Sequence, residues 1–166
     1  MPGRNSIIGV DRSGVIVAQD LTLGSADDAK TALDLIDVVE DDIASLTADA
    51  AYDTIAIYDA AVARRAEIVI PPIKTAARPR QKSALPSARD RTIMRVKDIG
   101  RRQWKKESGY HRQARVENVF FRYKTIIGDK LRARHPKSQE SEAMIACNIL
   151  NRMTALGRPE SFAMGA

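Results

Sequence analysis

The sequence has little cysteine, little histidine and no long apolar run. The single cysteine, Cys147, excludes an internal disulfide, and the two histidines, His111 and His135, are not spaced from it or from each other as zinc ligands are. No window approaches the roughly 18 uncharged apolar residues of a membrane-spanning helix, and the first residues lack the apolar stretch of a secretion signal. We therefore expect a cytoplasmic protein without zinc.

Acidic residues become scarce in the second part of the chain. Residues 1–70 hold 5 Lys/Arg and 13 Asp/Glu, whereas residues 71–166 hold 22 and 8, so the two parts carry −8 and +14. Within 78–106, 11 Lys/Arg stand against only Asp90 and Asp98. A basic half of this size favours a polyanionic partner, and nucleic acid is the leading candidate. We therefore expect the protein to associate with the nucleoid. A solvated or disordered basic linker is the alternative.

The first 70 residues predict the element order β-β-α-β-α-β. Two β-branched runs on either side of Asp11–Gly14 indicate a hairpin, and Ser25 resembles the N-cap of an amphipathic helix. Short apolar pieces near 45–48 precede a predicted helix near 54–66. The apolar run 67–70 then reads as a buried strand that two prolines end. This order is compatible with several α/β folds.

The basic part predicts a loop-rich segment followed by two helices. Residues 74–111 are expected to be rich in loops, most clearly before residue 88, where Lys, Arg, Pro, Ala and Ser follow no period. Between 112 and 127 the apolar residues recur at helical spacing, and Gly128 is placed to end that helix. Ser138 is the expected N-cap of the last helix.

The helix through Glu117 combines an acid with other polar groups along one edge. At 100° per residue, Tyr110 and Lys124 fall within about 20° of Glu117, and Gln113 within about 40°, beside the apolar stripe. Arg112 falls about 140° away. Taken alone, an exposed helical glutamate is most simply a solvated side chain.

Tyr110, Glu117 and Lys124 match a known signature. The sequence resembles the bacterial insertion-sequence transposases of the DDE type that carry Y-x2-R-x3-E-x6-K, with Gln113 in place of the arginine and Arg112 one residue earlier. The similarity continues through GYHRQARVENVFFRYKTIIGDKLRAR, EAMIACNILNRMTALGRP, ADAAYDT, EIVIPPIK and VDRSGVIVAQDLT, so it covers about residues 6–160.

The resemblance implies a fold, two catalytic acids and a metal. The implied fold is an α/β ribonuclease H-like mixed sheet with flanking helices, here lacking the first, central strand, and residues 1–166 are interpreted as a partial catalytic domain. Asp49 corresponds to the second catalytic carboxylate and Glu117 to the third, both as ligands of Mg²⁺, with Mn²⁺ as a substitute. Two such ions stabilise the entering and leaving oxygens at a DNA phosphodiester, and hard cations prefer carboxylate oxygens.

Four further residues are expected to contact DNA. Lys124 and Arg112 are candidates for phosphate contacts, Tyr110 for stacking on or hydrogen bonding to the strand end, and Trp104 for base stacking among its basic neighbours. The alternatives are a lysine that extends along the surface and a packed tyrosine.

The first catalytic aspartate of the family has no counterpart in the sequence. Asp11 is interpreted as a hairpin-turn residue, Asp53 as a helix N-cap and Asp59 as a solvated side chain, so none is assigned to catalysis. We therefore expect impaired DNA cleavage and strand transfer from an N-terminally truncated domain. The expected protein partners are a second copy of the chain, in a homo-oligomer, or an upstream transposase fragment that would complete the domain. The alternative is a non-catalytic, basic DNA-binding remnant.

Overall fold

The computed structural model describes residues 4–23, 28–77, 85–128 and 130–157, which form a mixed α/β arrangement. The strands are β1 (Arg4–Val10), β2 (Ile16–Leu23), β3 (Ser45–Thr47) and β4 (Glu67–Val69); the helices are α1 (Asp28–Val38), α2 (Ile55–Ala63), α3 (Ala88–Ile99), α4 (Arg101–Glu107), α5 (Ala114–Arg122) and α6 (Pro136–Ala155). The predicted order β-β-α-β-α-β is confirmed as far as β4. In the described ranges no helix combines the length and the apolar character that a membrane crossing needs.

β1 and β2 form the predicted hairpin, and Asp11 builds its turn. Asp11 Oδ1 accepts hydrogen bonds from Ser13 N at 2.8 Å, Ser13 Oγ at 2.7 Å and Val15 N at 2.9 Å. Partial burial acts to raise the pKa of Asp11, but the hydrogen bonds from Ser13 and Val15 outweigh it and hold that pKa below its usual value. The prediction of a turn residue is confirmed.

The four strands form two separate sheets within the described residues. β1 pairs with β2 in the antiparallel direction, and β3 pairs with β4 in parallel, with Ser45 opposite Glu67. The parallel pair is joined through α2, which supplies the crossover that parallel strands require. The arrangement is consistent with the expected ribonuclease H-like fold at the level of a mixed α/β class.

A first core lies between α1, α2 and the parallel sheet. Its buried members are Ile36, Ile57, Tyr58 and Ile70, and the Tyr58 hydroxyl donates to Ile70 O at 3.1 Å. Arg64, at the end of α2, donates to three backbone carbonyls at and beyond the end of α1. This core therefore includes polar links between its elements.

A second core lies between the hairpin, α5 and α6. Its buried members are Ile8, Ile16, Val119, Cys147 and Leu150. On α6, Asn151 Oδ1 accepts from Ile16 N at 2.8 Å and Asn151 Nδ2 donates to Ile16 O at 2.9 Å. One side-chain amide thus binds both polar groups of a β2 residue and fixes α6 against the hairpin.

The expectation of a loop-rich segment over 74–111 is wrong for most of its described part. α3 and α4 occupy residues 88–107, because Ser87 and Asp90 form a reciprocal capping box and Gly100 separates the two helices at φ 81°. Residues 74–77 and 85–87 contain no helix or strand. The density of arginine and lysine obscured a helical segment.

Two predicted helix caps differ from the structure, and one lies outside it. Asp53 is not an N-cap, because Thr54 caps α2 and accepts from Ile57 N at 3.3 Å. Ser138 lies inside α6, which begins at Pro136, a residue favoured in the first turn because it needs no amide partner there. Ser25 lies outside the described residues.

Candidate functional site

Asp49 lies two residues after the end of β3 and caps a short 3₁₀ turn, Ala50–Tyr52. Its Oδ1 accepts from Ala51 N at 2.8 Å, which fixes the carboxylate at the start of the turn, and its side chain is exposed. An acid at the end of a strand, held by its own backbone cap and open to solvent, is suited to bind a cation.

Glu117 lies in the first turn of α5 and is also exposed. The chain enters α5 through a 3₁₀ turn, Tyr110–Gln113, which Gly109 starts at φ 69°. It leaves through a π-helical turn, Tyr123–Ile127, and Gly128 ends it at φ 119° as predicted. The predicted helix over 112–127 is therefore α-helical only in its middle part.

A cavity of about 740 Å³ brings Asp49 and Glu117 to a common space. Its walls come from β1, β3, α1 and α5, with Asp49 on the β3 side and Glu117 on the α5 side. Consecutive residues of two strands line it, namely 7–10 of β1 and 45–47 of β3. Because side chains alternate between the faces of a strand, an unbroken run indicates that strand edges border the cavity.

Tyr110 lies within electrostatic reach of both acids. Burial raises the pKa of the Tyr110 hydroxyl, the charges of Asp49 and Glu117 raise it further, and Arg101 opposes them. Lys105 Nζ lies 4.5 Å from the centre of the Tyr110 ring. Tyr110 therefore lies near two acids, Asp49 and Glu117, and two cations, Arg101 and Lys105. Its raised pKa keeps the hydroxyl protonated.

Arg112 and Gln113 both line the cavity. The 100° wheel, which separates Arg112 from Glu117, does not apply, because residues 110–113 follow a 3₁₀ turn. The Arg112 guanidinium packs over Gly109, where an added Cβ would lie 3.6 Å from Arg112 Cζ. Gln113 Oε1 is buried without a hydrogen-bond partner. An arginine thus reaches the site although the signature position holds glutamine.

Trp104 is not the open stacking residue expected from its basic neighbours. Its side chain is only 5% exposed, and its ring centroid lies 6.3 Å from that of Tyr110. The expectation of a DNA-facing ring is wrong in this structure, because α4 turns Trp104 inward. The ring instead packs beside Tyr110.

Lys124 is exposed in the π-helical turn and does not line the cavity. The change from α to π geometry after Arg122 alters the phase on which the predicted edge of Tyr110, Glu117 and Lys124 relied. A regular helical wheel therefore places Lys124 beside Glu117, whereas in the structure Lys124 lies outside the cavity.

One further acid near the site forms an ion pair that no local pattern in the sequence marks. Asp53 is buried, and Arg89 binds it across 36 residues. In contrast, no described lysine or arginine forms an ion pair with Asp49 or Glu117. Over the described ranges, no group of three or more His, Cys, Asp or Glu side chains is arranged to hold a metal ion.

Comparison with known proteins gives one result for the family and one for structures. The family model described as "Transposase DDE domain" matches residues 1–152. No solved structure matches the chain.

Proposed function

Because the chain belongs to the transposase DDE domain family, which acts in DNA transposition, we propose that its cavity is part of a metal-dependent DNA cleavage and strand-transfer centre of the insertion-sequence type. Asp49 and Glu117 are the proposed catalytic acids. The observation that carries the proposal is that these two acids, from different elements, line one cavity and both raise the pKa of Tyr110. Asp11, Asp41 and Asp42 also line the cavity, so the choice of Asp49 and Glu117 among its acids rests on the resemblance to the family signature.

The two carboxylates fit a divalent metal by charge, exposure and freedom from ion pairs. Asp49 keeps one oxygen outside its own cap, and Glu117 is solvent-exposed. When bound, Mg²⁺ or Mn²⁺ supplies positive charge that stabilises the anionic phosphorus centre and the oxygens on either side of it. Asp49 and Glu117 would hold the ion, and imidazole or thiolate ligands are not needed.

The cationic and aromatic residues would bind and orient the DNA strand. Arg112 lines the cavity and is suited to a phosphate because a planar guanidinium carries several hydrogen-bond donors. Tyr110, kept neutral by burial and by the two acids, can donate a hydrogen bond to a phosphate oxygen. Lys124 would contact the backbone farther along the strand.

The free edges of β1 and β3 favour an additional strand in the cavity. Each has one hydrogen-bonded neighbour among the described residues, and both border the same space. We propose that an extended transposase segment bearing a third acid pairs with these edges and completes a ribonuclease H-like sheet. A strand added there would supply hydrogen-bond partners to the unpaired backbone groups of both edges.

Cleavage of plasmid DNA tests the catalytic proposal. With Mg²⁺ or Mn²⁺, the chain mixed with a full-length family transposase inactivated at its own second and third acids should nick supercoiled DNA. Asp49→Ala or Glu117→Ala in the chain should abolish the nicking. Asp59→Ala, which removes an exposed acid of α2, is the matched control and should nick normally. Nicking that survives Asp49→Ala would contradict the assignment.

A second candidate is a non-catalytic DNA-binding protein. The observation that favours it is the lack of a three-acid cluster in the described parts of the chain, together with the basic residues of α4. Such a protein would bind DNA without metal, and its affinity would fall steeply with salt. Binding that Asp49→Ala and Glu117→Ala leave unchanged, without any nicking, would support this candidate.

A further inference from the structure

A buried ion pair lies outside the cavity and has no part in the proposed metal site. Arg89 Nε donates to Asp53 Oδ1 at 2.7 Å, and Arg89 Nη2 donates to Asp53 Oδ2 at 2.9 Å. The Asp53 side chain is 0% exposed and that of Arg89 16%. Ile73 N also donates to Asp53 Oδ2, at 2.8 Å. Both carboxylate oxygens are therefore engaged.

This ion pair joins three segments that are distant in the sequence. Asp53 closes the 3₁₀ turn that Asp49 begins, and its amide donates to Ala50 O at 3.2 Å. Arg89 is the second residue of α3, where the capping box of that helix fixes the backbone. Ile73 follows β4. The turn after β3, the segment after β4 and the start of α3 thus meet at one carboxylate.

The basic helices are attached to the same place by a second contact. Arg101, the first residue of α4, donates to the carbonyl oxygen of Pro72, next to Ile73. On α3, Arg95 binds Glu107 of α4 at 2.8 Å, so the two helices are also linked to each other. Each of the two helices is therefore attached close to Asp53 by an arginine of its own, α3 through Arg89 and α4 through Arg101.

Such a pair specifies geometry more than it adds stability. Desolvation of two buried charges offsets much of their attraction, whereas two parallel hydrogen bonds allow only one relative orientation. Here the oriented object is the turn with Asp49 at one end and Asp53 at the other. Asp49 is fixed at its end by the cap to Ala51, and Asp53 is fixed at the other end by Arg89.

We propose that Asp53 and Arg89 are positioning residues for Asp49. They hold the turn that carries the Asp49 carboxylate in a fixed relation to the basic helices α3 and α4, so that acid and DNA-binding surface keep their register. The inference rests on the proposed function for the role of Asp49. The rigidity of the turn can be measured without activity.

Amide hydrogen exchange in the ¹⁵N-labelled full chain is the first test. Arg89→Met leaves Asp53 without its cation, and the amides of Tyr52 and Asp53, which bond within the turn, should exchange at least about tenfold faster relative to that of Leu150 in the second core. Glu107→Gln, which breaks an exposed pair instead, is the matched control and should change neither. Equal acceleration at the turn and at Leu150 would overturn the proposal.

Arg89→Lys covers the case in which Arg89→Met does not fold. The lysine keeps the charge, but a single ammonium cannot reproduce the two parallel bonds. We expect faster exchange confined to the turn, by a smaller factor than in Arg89→Met. Wild-type exchange at Tyr52 and Asp53 in Arg89→Lys would overturn the proposal.

Binding of Mn²⁺ separates the inference from the proposed function. Paramagnetic broadening of the Ala51 amide reports metal near Asp49, and Arg89→Lys should weaken this binding several-fold while Glu107→Gln leaves it unchanged. Broadening equal in wild type and Arg89→Lys would overturn the positioning role. Broadening that persists in Asp49→Ala would count against the proposed metal site alone, because the exchange experiment contains no metal.

Discussion

The two cores of the molecule are held together in different ways. The first, around Ile57 and Tyr58, is crossed by polar links, among them the Tyr58 hydroxyl on Ile70 and the buried pair of Asp53 and Arg89. The second, around Val119 and Leu150, is apolar except at its edge. Its helices also expose large apolar side chains, namely Phe121, Met144, Ile145 and Ile149.

Each core contributes one of the two proposed catalytic acids to the cavity, and these two acids differ accordingly. Asp49 stands on a short turn with a hydrogen-bonded cap, next to the polar links of the first core. Glu117 stands on a helix that is 3₁₀ before it and π-helical after it. Irregular turns of this kind are common at functional sites. The comparison suggests one acid on a rigid support and one on an adaptable support.

Leu150→Ala should produce the largest change in the second core. Leu150 is 2% exposed among Ile8, Val119 and Cys147, so its truncation leaves a cavity and should lower the free energy of unfolding by about 2–5 kcal/mol. Urea unfolding of the full chain measures it. Met144→Ala on the same helix, where the side chain is 56% exposed, should change it by less than about 0.5 kcal/mol. Similar effects of both would mean that the second core is not specifically packed.

Raising the pH should weaken the first core through Tyr58. Burial, with a smaller effect from Asp53, raises the pKa of Tyr58 from its ordinary value of 10.0 to about 12, while a hydrogen bond with Thr92 and the charge of Arg89 oppose this. The folded state therefore keeps the proton that the unfolded state loses. Stability that is fully present below pH 10 should fall by about 2–3 kcal/mol as the pH approaches 12.

Tyr58→Phe isolates this effect from that of the other tyrosines. Burial also raises the pKa values of Tyr52, Tyr110 and Tyr123, so the wild type loses stability at high pH for several reasons. Urea unfolding from pH 9 upwards should show a shallower decline in Tyr58→Phe than in the wild type. Parallel declines would contradict the assignment to Tyr58.

Asn151→Ala should weaken the attachment of α6 to the hairpin. The substitution removes both hydrogen bonds to Ile16 and leaves a partly buried amide and carbonyl without partners, which should cost about 1–3 kcal/mol. Asn148→Ala, an exposed asparagine of the same helix, is the control and should have little effect on urea unfolding. Equal effects would show that the Asn151 amide is not a link between the elements.

The sequence predicted those features that depend on neighbouring residues. The hairpin turn at Asp11 follows from local hydrogen bonding, and Gly128 ends its helix where a positive φ is needed. The ion pair of Asp53 and Arg89 was not predicted, because no local pattern marks two residues that come together only in the folded chain. Trp104 was misassigned because a basic neighbourhood does not tell which face of α4 turns inward. The roles of Asp49 and Glu117 remain predictions.

The prediction of a helix through Glu117 assumed regular α-helical geometry, whereas the structure changes to other helical forms at both ends of α5. A regular wheel separates Arg112 from Glu117 and aligns Lys124 with it. Arg112 lies in the 3₁₀ turn and lines the cavity. Lys124 lies in the π-helical turn and does not line it. Such departures arise from tertiary packing at the two ends of α5, which a helical period in the sequence does not contain.

Gly109→Ala tests the adaptable side of the comparison and should give the smallest change in stability. At φ 69° a side chain is strained, while an added Cβ would meet Arg112 only at an ordinary 3.6 Å, so the cost is conformational, about 1–2 kcal/mol. Gly109→Asn should cost less, because asparagine tolerates this region better. Gly9→Ala is the control for the unfolding measurement alone, since Gly9 has no positive φ and its Cβ would meet Ala18 and Val17 at ordinary distances of 3.6–3.9 Å. Because Gly109 starts the turn that carries Arg112, DNA affinity should fall in Gly109→Ala more than in Gly109→Asn. Equal urea unfolding in all three variants, with equal DNA affinity in the two Gly109 variants, would mean that the turn before Glu117 does not depend on its glycine. The α5 side of the cavity would then be more rigid than its irregular turns suggest.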